Sequence, residues 1–248
     1  MSIKGIDVSK HNGVIDWKRV RADGVSFAII RAGIGISVPK DPMFESNYSG
    51  AKAAGVDVGC YWFLRSATTE GAVKEARQYL EIIKGKQFEY PVYLDLEDDP
   101  TYGYYVLRTG KANCTALAEA FCGEVQKAGY FAGLYISRSP LQTHIEPETA
   151  KKYALWVAEY NSKCNYEGSY GIWQRSATGR VDGISGNVDM NECYIEYPKI
   201  IKAEGRNGFA KEKNEKYRVQ REFDTLAEAQ AVNGYLKGFK IVVKVVPK

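Results

Sequence analysis

The sequence predicts an α/β protein: an irregular TIM-like (β/α) barrel followed by a small βαβ-like C-terminal module. Strand-like and helix-like segments alternate over the first two hundred residues, and such repeated βα units favour a parallel sheet or barrel over a sandwich. Apolar residues make up 45% of the 248 residues and aromatic residues 12%, which is enough for a sizeable core. The predicted domains are a barrel over 1–202, a linker over 203–215 and the module over 216–248.

Four apolar segments predict the strands of the first half of the barrel, because they are rich in β-branched and aromatic residues. Helices alternate with these strands. One helix is predicted over 44–54, and the next begins with Thr69 as its N-cap and ends at Gly85. The predicted strands are 3–9, 27–33, 58–64 and 91–94.

The second half of the barrel is predicted to be more crowded. An amphipathic helix over 111–128 is indicated by the spacing of Leu117, Phe121 and Val125. Three strands follow this helix, and the chain between the last of them leaves little room for further helices. They are predicted at 132–137, 155–160 and 171–174.

Acidic and aromatic side chains lie at or near the predicted carboxyl ends of several strands. In a barrel of parallel strands these ends carry the chemistry. Residues far apart in the chain would therefore meet at one mouth, which supports a site more strongly than any single motif does. The residues are Asp7, Tyr61, Trp62, Asp95, Glu97, Tyr135, Glu159 and Trp173.

Asp95 and Glu97 end the apolar run of the fourth strand. Residues two apart in a strand share a face, with backbones roughly 6–7 Å apart. This spacing is compatible with the ~5–9.5 Å between the two carboxyl groups used in glycoside hydrolysis. Like charges at this distance raise one pKa and can leave one acid and one base near neutral pH. The alternative, equally weighted from this segment alone, is a solvated strand end extended by Asp98 and Asp99.

Metal, membrane and secretion signals are missing from the sequence. Its five cysteines form no CxxC pair and no zinc spacing, and two histidines are too few for a His-rich site, so no metal or cofactor is expected. No stretch approaches the ~18–20 apolar residues of a membrane span. The first residues lack the apolar core of a secretory signal, so synthesis in the cytoplasm is expected.

The net charge of +4 is concentrated at the end of the chain. Residues 203–248 hold ten basic and six acidic side chains, whereas the preceding residues are neutral overall. Such a small excess does not favour nucleic-acid binding. The module of about 33 residues is shorter than the ~40 at which an isolated core usually suffices. It is therefore expected to dock on the barrel or to pair with another copy as a homo-oligomer.

Three stretches together resemble glycoside hydrolase family 25, the muramidase-type lysozymes common among phage endolysins and bacterial autolysins. They are GIDVSKHNG with IDW, then YPVYLDLED, then GIWQRSATGRVDGISGNVDMN, and they span about residues 3–192. The resemblance implies a barrel with a partly irregular second half. It also implies cleavage of the β-1,4 bond between N-acetylmuramic acid and N-acetylglucosamine in peptidoglycan, without metal or cofactor.

The family's acidic residues fall on Asp7, Asp95, Glu97 and Asp189. The resemblance makes Glu97 the general acid, with a pKa raised by partial burial and by Asp95 alongside. Asp95 would be either the nucleophile or the group that steadies the substrate's acetamido nitrogen, and both roles are compatible with retention at the anomeric carbon. Asp7 and Asp189 would flank the pair. Without the resemblance, Asp7 could simply form a hydrogen bond within the turn that follows it, and GNVDMN around Asp189 is itself a plausible turn.

Aromatic residues near the strand ends are candidates for substrate binding, because sugar faces are apolar and stack on such rings. The candidates are Tyr61, Tyr135, Trp173 and Trp62, although Trp62 is also expected to be partly structural and Trp156 is left undecided. All of them could instead be core residues. The stretch CYWFLRS lacks a histidine that the resemblance leads us to expect there, which puts the details of one subsite in doubt.

The leading functional expectation is a phage endolysin. It would be made in the host cytoplasm and reach the wall through a separate membrane-permeabilising partner. The alternatives are a bacterial autolysin of the same specificity and a non-catalytic wall-binding protein on the same barrel. The C-terminal module is expected to attach the enzyme to an anionic wall polymer.

Overall fold

Eight strands close into a barrel in the order of the chain in the computed structural model, which describes residues 2–37 and 40–211. Strands β1 to β7 pair in parallel with their neighbours, whereas β8 runs antiparallel to both β7 and β1. The predicted α/β barrel is therefore confirmed, and β8 is its irregular strand. The strands are β1 Ile3–Val8, β2 Phe27–Ile34, β3 Asp57–Phe63, β4 Val92–Asp95, β5 Ala132–Ser137, β6 Ala154–Ala158, β7 Ile172–Gly179 and β8 Val188–Cys193.

Helices cover the outside of the barrel between successive strands up to β6. Helix α3 begins one residue earlier than predicted, because its N-cap is Thr68, whose hydroxyl accepts a hydrogen bond from the Gly71 amide at 3.2 Å. None of the helices in the described residues is long and apolar enough to cross a membrane. The helices are α1 Trp17–Ala22, α2 Phe44–Ala53, α3 Thr69–Ile83, α4 Lys111–Lys127, α5 Arg138–His144, α6 Pro147–Ala150 and α7 Tyr197–Glu204.

Alternate strand residues build two separate cores. Outward residues such as Ile30 and Leu94 pack against the helices, while large rings fill the lower interior of the barrel. Phe27 and Tyr90 stack there with ring centroids 4.3 Å apart. Gly5 faces the Phe27 ring, and a Cβ on it would overlap that ring. Among the described residues, a cavity opens above this filled interior, towards the carboxyl ends of the strands.

Strand β8 was not predicted, and it changes the structural interpretation of Asp189. The residue lies within β8 rather than in a turn, and it pairs directly with Asp7 of β1. The strand alternates Val188 and Met190 on the outside with Asp189 and Asn191 on the inside. An apolar-out, polar-in strand lacks the continuous apolar run by which the other strands were recognised.

The chain after α7 seals the opposite end of the barrel. Asn207 is fully buried, and its amide group donates to the backbone oxygens of Phe88 at 3.1 Å and Tyr90 at 2.9 Å. Its side-chain oxygen accepts from the Phe131 amide at 2.7 Å. The predicted linker therefore does not begin at residue 203, because α7 and this anchored loop occupy 203–211. The expected module over 216–248 lies outside the described residues, and its boundaries stay a prediction.

Candidate active site

A cavity of about 330 Å³ opens at the carboxyl ends of the strands. All four predicted acidic residues line this cavity. Asp7 comes from β1, Asp95 from β4, Glu97 from the chain just after β4, and Asp189 from β8. The structure thus brings together side chains that lie up to 182 residues apart in the sequence. Polar and aromatic residues complete the wall, among them Arg31, Tyr61, Tyr135, Trp156, Tyr160 and Gln174.

Asp7 and Asp189 lie opposite each other on the β1–β8 ladder. Asp7 is buried, and its Oδ2 accepts hydrogen bonds from Gln174 Nε2 and Asn191 Nδ2, both at 2.8 Å. Burial and then the neighbouring Asp189 charge raise the pKa of Asp7 well above its usual range. Burial also raises the pKa of Asp189, while a hydrogen bond from Asp7 opposes that rise. Asp7 therefore holds its proton more tightly than an ordinary aspartic acid does.

Asp95 is the most isolated of the four carboxyl groups. It ends β4, is 3% exposed, and its Oδ1 has no hydrogen-bond partner among the described residues. Burial, followed by the charges of Glu97 and Asp7, raises the pKa of Asp95 well above its usual range, and Arg31 opposes this rise. Asp95 is one of the residues that line the cavity, so this buried carboxyl group lies at the wall of the candidate site.

Glu97 lies two residues beyond Asp95, just past the end of β4, and is half-buried. Its pKa is raised to about 7, first by burial and then by the negative charges of Asp99, Asp189 and Asp98, while Arg65 opposes the rise. The expected contribution of Asp95 is not among these causes, although Glu97 does raise the pKa of Asp95. Near neutral pH a large fraction of Glu97 is thus protonated, and the side chain is partly accessible, as a general acid must be.

Five residues with aromatic rings line the cavity: Tyr61, Phe63, Tyr135, Trp156 and Tyr160. Tyr61 and Tyr135 do so as predicted from their strand ends, and Trp156, which was undecided, joins them. The Trp156 ring meets Tyr135 edge-on at 4.5 Å and Tyr61 at 6.0 Å between centroids. Tyr135 also donates its hydroxyl to Gln174 Oε1 at 2.9 Å. These rings form an apolar wall beside the carboxyl groups.

The other two aromatic candidates face away from the cavity. Trp62 is fully buried under α3 and donates its indole N–H to Glu75 at 2.7 Å. Trp173 donates its indole N–H to the backbone oxygen of Glu159 at 2.8 Å and does not line the cavity. The reason is strand alternation: Trp62 follows the inward Tyr61, and Trp173 precedes the inward Gln174.

Glu159 is also turned away from the mouth. Its carboxylate accepts from the backbone and side-chain amides of Asn165 at 2.6 and 2.8 Å, and it pairs with Arg138 at 3.0 Å. These partners hold the side chain outside the cavity lining.

Sequence reasoning missed the polar residues that hold the carboxyl groups. Gln174 and Asn191 fix Asp7, and the Arg31 guanidinium lines the cavity while its Nε donates to the buried Asp41 at 2.7 Å. Arg31 and Gln174 both stand at inward positions within predicted strands. A polar side chain on the inward face of an apolar strand was the signal that could have identified them.

The cysteines take no part in this cavity. All five are free thiols, and four of them are buried in the cores. Within residues 2–37 and 40–211, no group of three or more His, Cys, Asp and Glu side chains has the arrangement of a metal site.

Comparison with known proteins identifies the family. The profile of Glycosyl hydrolases family 25 matches residues 6–184, which include Asp7, Asp95 and Glu97. The chain belongs to glycosyl hydrolase family 25. Asp189 lies just beyond the matched stretch, and its place in the site comes from its pairing with Asp7.

Known members of family 25 extend the match over most of the barrel. The autolytic lysozyme of Clostridium acetobutylicum is 29% identical over 191 residues, which are 77% of this chain and 55% of that protein. The solved CTP1L endolysin is 29% identical, with a TM-score of 0.68 over 81% of this chain and 69% of the endolysin. The autolysin LytC of Streptococcus pneumoniae, solved with a synthetic peptidoglycan ligand, is 26% identical, with a TM-score of 0.70 over 78% of this chain and 47% of LytC. The chain therefore spans about half the length of these two autolysins.

Proposed function

We propose that this family 25 protein is a peptidoglycan hydrolase, an N-acetylmuramidase that cleaves the β-1,4 bond between N-acetylmuramic acid and N-acetylglucosamine. The observation that carries the proposal is the pairing of Glu97, whose pKa of about 7 keeps it half protonated near neutral pH, with the buried Asp95 in one open cavity. Similarity to an autolytic lysozyme and to an autolysin solved with a synthetic peptidoglycan ligand supports this substrate class.

Glu97 acts as the general acid in this proposal. Its carboxyl group gives a proton to the leaving glycosidic oxygen, which an oxocarbenium-like transition state requires. After bond cleavage the carboxylate can accept a proton from the incoming water, so one residue serves both steps. Because the side chain is half-buried, it can contact a bound glycan while the protein still perturbs its pKa.

Asp95 acts on the sugar ring that carries the cleaved bond. Its carboxylate, which belongs to a cavity-lining residue, can attack the anomeric carbon, or it can accept the N–H of the acetamido group and so orient that group for attack. Both routes retain the anomeric configuration. The Asp7–Asp189 pair adds net negative charge that stabilises the positive charge developing on the sugar.

Product analysis on peptidoglycan tests the proposed bond specificity. Purified protein is incubated with Gram-positive peptidoglycan, and new reducing ends are scored against new free amines. Reducing ends that terminate in muramic acid are expected. Free amines without reducing ends would mean amide cleavage and would contradict the proposal.

Replacement of Glu97 tests the general acid. Glu97→Gln keeps the size of the side chain but cannot donate the proton, so turnover should fall by roughly 10²–10⁴-fold or more. Folding and sedimentation with walls should stay close to those of the wild type. Glu81→Gln is the matched control, because Glu81 is 73% exposed on the outer helix α3. Near-normal turnover by Glu97→Gln would assign the acid elsewhere or favour a wall-binding role without catalysis.

For the cellular role we propose a phage endolysin, made in the host cytoplasm, with a bacterial autolysin as the alternative. The similarity to the CTP1L endolysin supports the first role, and the similarity to the clostridial autolytic lysozyme supports the second. Expression in a Gram-positive host separates them. Lysis only after a membrane-permeabilising protein is co-expressed fits an endolysin, whereas wall turnover without that protein fits an exported autolysin.

A further inference from the structure

One ion pair lies beside the general acid without belonging to the four carboxyl groups. Arg65 follows β3 and Asp99 follows β4, and Arg65 Nη2 lies 2.6 Å from Asp99 Oδ2. The two side chains are 22% and 19% exposed, so solvent screens this pair less than a surface pair. The contact joins the two loops that follow neighbouring strands, and Glu97 stands at the start of one of them.

The Arg65 side chain is held on several sides. Its guanidinium carbon lies 4.8 Å from the Phe63 ring centroid, 5.1 Å from that of Tyr104 and 5.4 Å from that of Tyr102. Its backbone amide donates to the buried Glu75 carboxylate at 3.1 Å. Phe63 also lines the cavity, so one of the rings that hold the Arg65 guanidinium belongs to the cavity wall.

The segment that carries Asp99 is equally well fixed. The Asp99 amide donates to the Tyr104 oxygen at 2.8 Å, and the Tyr104 amide donates back at 3.0 Å. The Asp98 carboxylate accepts from the Leu107 amide at 2.8 Å. These bonds close a turn directly after Glu97 and keep the Asp99 charge near the Glu97 carboxyl group.

We propose that the Arg65–Asp99 ion pair is a positioning element for the general acid, which anchors the segment that carries Glu97 and places two opposed charges beside its carboxyl group. The inference rests on the proposed function, in which Glu97 is the proton donor. Arg65 and Asp99 are positioning residues in this role, because they act through Glu97 and not on the substrate.

The two charges act on Glu97 in opposite directions. Asp99 is the strongest of the neighbouring charges that raise the pKa of Glu97, and Arg65 lowers it. Loss of Asp99 alone should therefore make Glu97 a stronger acid, and loss of Arg65 alone should make it a weaker one. The other titratable groups that interact with Glu97 are Asp95, Asp98, Asp189, Tyr135 and Tyr160.

The test compares Arg65→Gln with Asp99→Asn in the full chain. The dependence of kcat/KM on pH is measured on soluble peptidoglycan fragments, and the alkaline limb reports the general acid. We expect this limb to move by about 0.5–1 pH unit to lower pH in Asp99→Asn and by a similar amount to higher pH in Arg65→Gln. The double variant should lie close to the wild type, and Arg65→Lys should keep the wild-type limb because it keeps the charge.

A purely structural ion pair predicts a different result. Arg65→Gln and Asp99→Asn would break the same contact, so the alkaline limb of the pH profile would move in the same direction in both variants. Alternatively, that limb would stay in place while kcat fell. Either outcome would overturn the proposal. If Arg65→Gln does not fold, Asp99→Asn and Arg65→Lys still test the proposal. Asp99→Asn must move the alkaline limb of the pH profile to lower pH, and Arg65→Lys must leave that limb unchanged.

A second measurement tests this proposal separately from the proposed muramidase activity. Carboxyl-¹³C glutamate labelling gives the Glu97 titration directly by NMR, with the signal assigned by its loss in Glu97→Gln. Opposite shifts of this titration would support the ion-pair role even if no muramic acid ends were released. Absence of those ends from the wild type would contradict the proposed function alone.

Discussion

Individual carboxyl groups in the cavity lower the stability of the folded protein at neutral pH. Asp95 shows this most clearly, because it is almost fully buried and one of its oxygens has no hydrogen-bond partner in the described part of the chain. A buried, ionised and poorly bonded carboxylate is costly, and the protein responds by holding its proton more tightly. The role proposed for Asp95 would therefore be maintained at the expense of stability.

Asp95→Asn should stabilise the protein at neutral pH. The pKa of Asp95 in the folded state lies above its unfolded value, so its favourable contribution is complete below about pH 4 and is lost as pH rises through the folded value. Asparagine does not ionise, and we expect the variant to gain at least about 1 kcal/mol in unfolding free energy at pH 7. Urea unfolding at several pH values between 4 and 8 measures this gain.

The control for this prediction is Asp182→Asn, because the Asp182 side chain is 52% exposed on the surface. That variant should follow the pH dependence of the wild type. If Asp95→Asn lost stability in parallel with the wild type between pH 5 and 8, Asp95 would not be the buried titrating group inferred from the structure.

At the scale of secondary-structure elements, the loop after α7 depends on one side chain. Asn207 satisfies the Phe131 amide and the oxygens of Phe88 and Tyr90, and it adopts a left-handed conformation with φ of 54°. Asparagine tolerates this conformation better than most residues do. The loop thus ties the N-terminal end of the barrel to the end of α7.

Asn207→Ala should destabilise the barrel by at least about 2 kcal/mol, because it leaves buried backbone groups without partners and strains the backbone. Asn207→Gly separates the two effects, since glycine adopts positive φ without strain but makes no side-chain hydrogen bonds. We expect glycine to be destabilising as well, but less than alanine. Urea unfolding followed by tryptophan fluorescence measures both. A glycine variant as stable as the wild type would show that the three hydrogen bonds contribute little.

The sequence predicted helices and strands well where one face of the element, or all of it, is buried and apolar, and poorly elsewhere. Strands β1 to β7 each contain a short apolar run and were recognised, although β7 continues through polar residues to Gly179, beyond its predicted end at 174. Strand β8 places polar Asp189 inside and escaped notice. Trp62 and Trp173 were placed in the groove without regard to the alternation of their strands. The predicted linker begins inside α7, because its first two residues, Ala203 and Glu204, are the last two residues of that helix.

The site itself was predicted only in part for a different reason. Its carboxyl groups followed from strand ends and from the resemblance, but the residues that hold them depend on the strand register. Gln174 donates to Asp7 across 167 positions of sequence, and such a contact is set by barrel closure rather than by local pattern. The partners of Glu97 depend likewise on how the loops after β3 and β4 meet.

At the scale of the whole molecule, charge is divided along the chain. Residues 1–202 are neutral, and the net charge of +4 lies in 203–248. The described barrel contains every residue of the cavity, and the loop through Lys211 belongs to its compact unit, which ends at Glu212. We therefore propose that residues 213–248 attach the enzyme to an anionic wall polymer and are not needed for chemistry.

A chain ended after Glu212 tests this division, and it keeps the Asn207 anchor that a shorter chain would endanger. On soluble peptidoglycan fragments its kcat/KM should equal that of the full chain, because the whole cavity is retained. On intact walls at low salt the shorter chain should be slower, and the difference should shrink at about 1 M salt, where charges are screened within ~3 Å. Equal rates and equal sedimentation with walls would eliminate the attachment role, and light scattering of both chains would then decide whether residues 213–248 pair two copies. Loss of activity on soluble fragments would instead show that the barrel needs those residues to form its site.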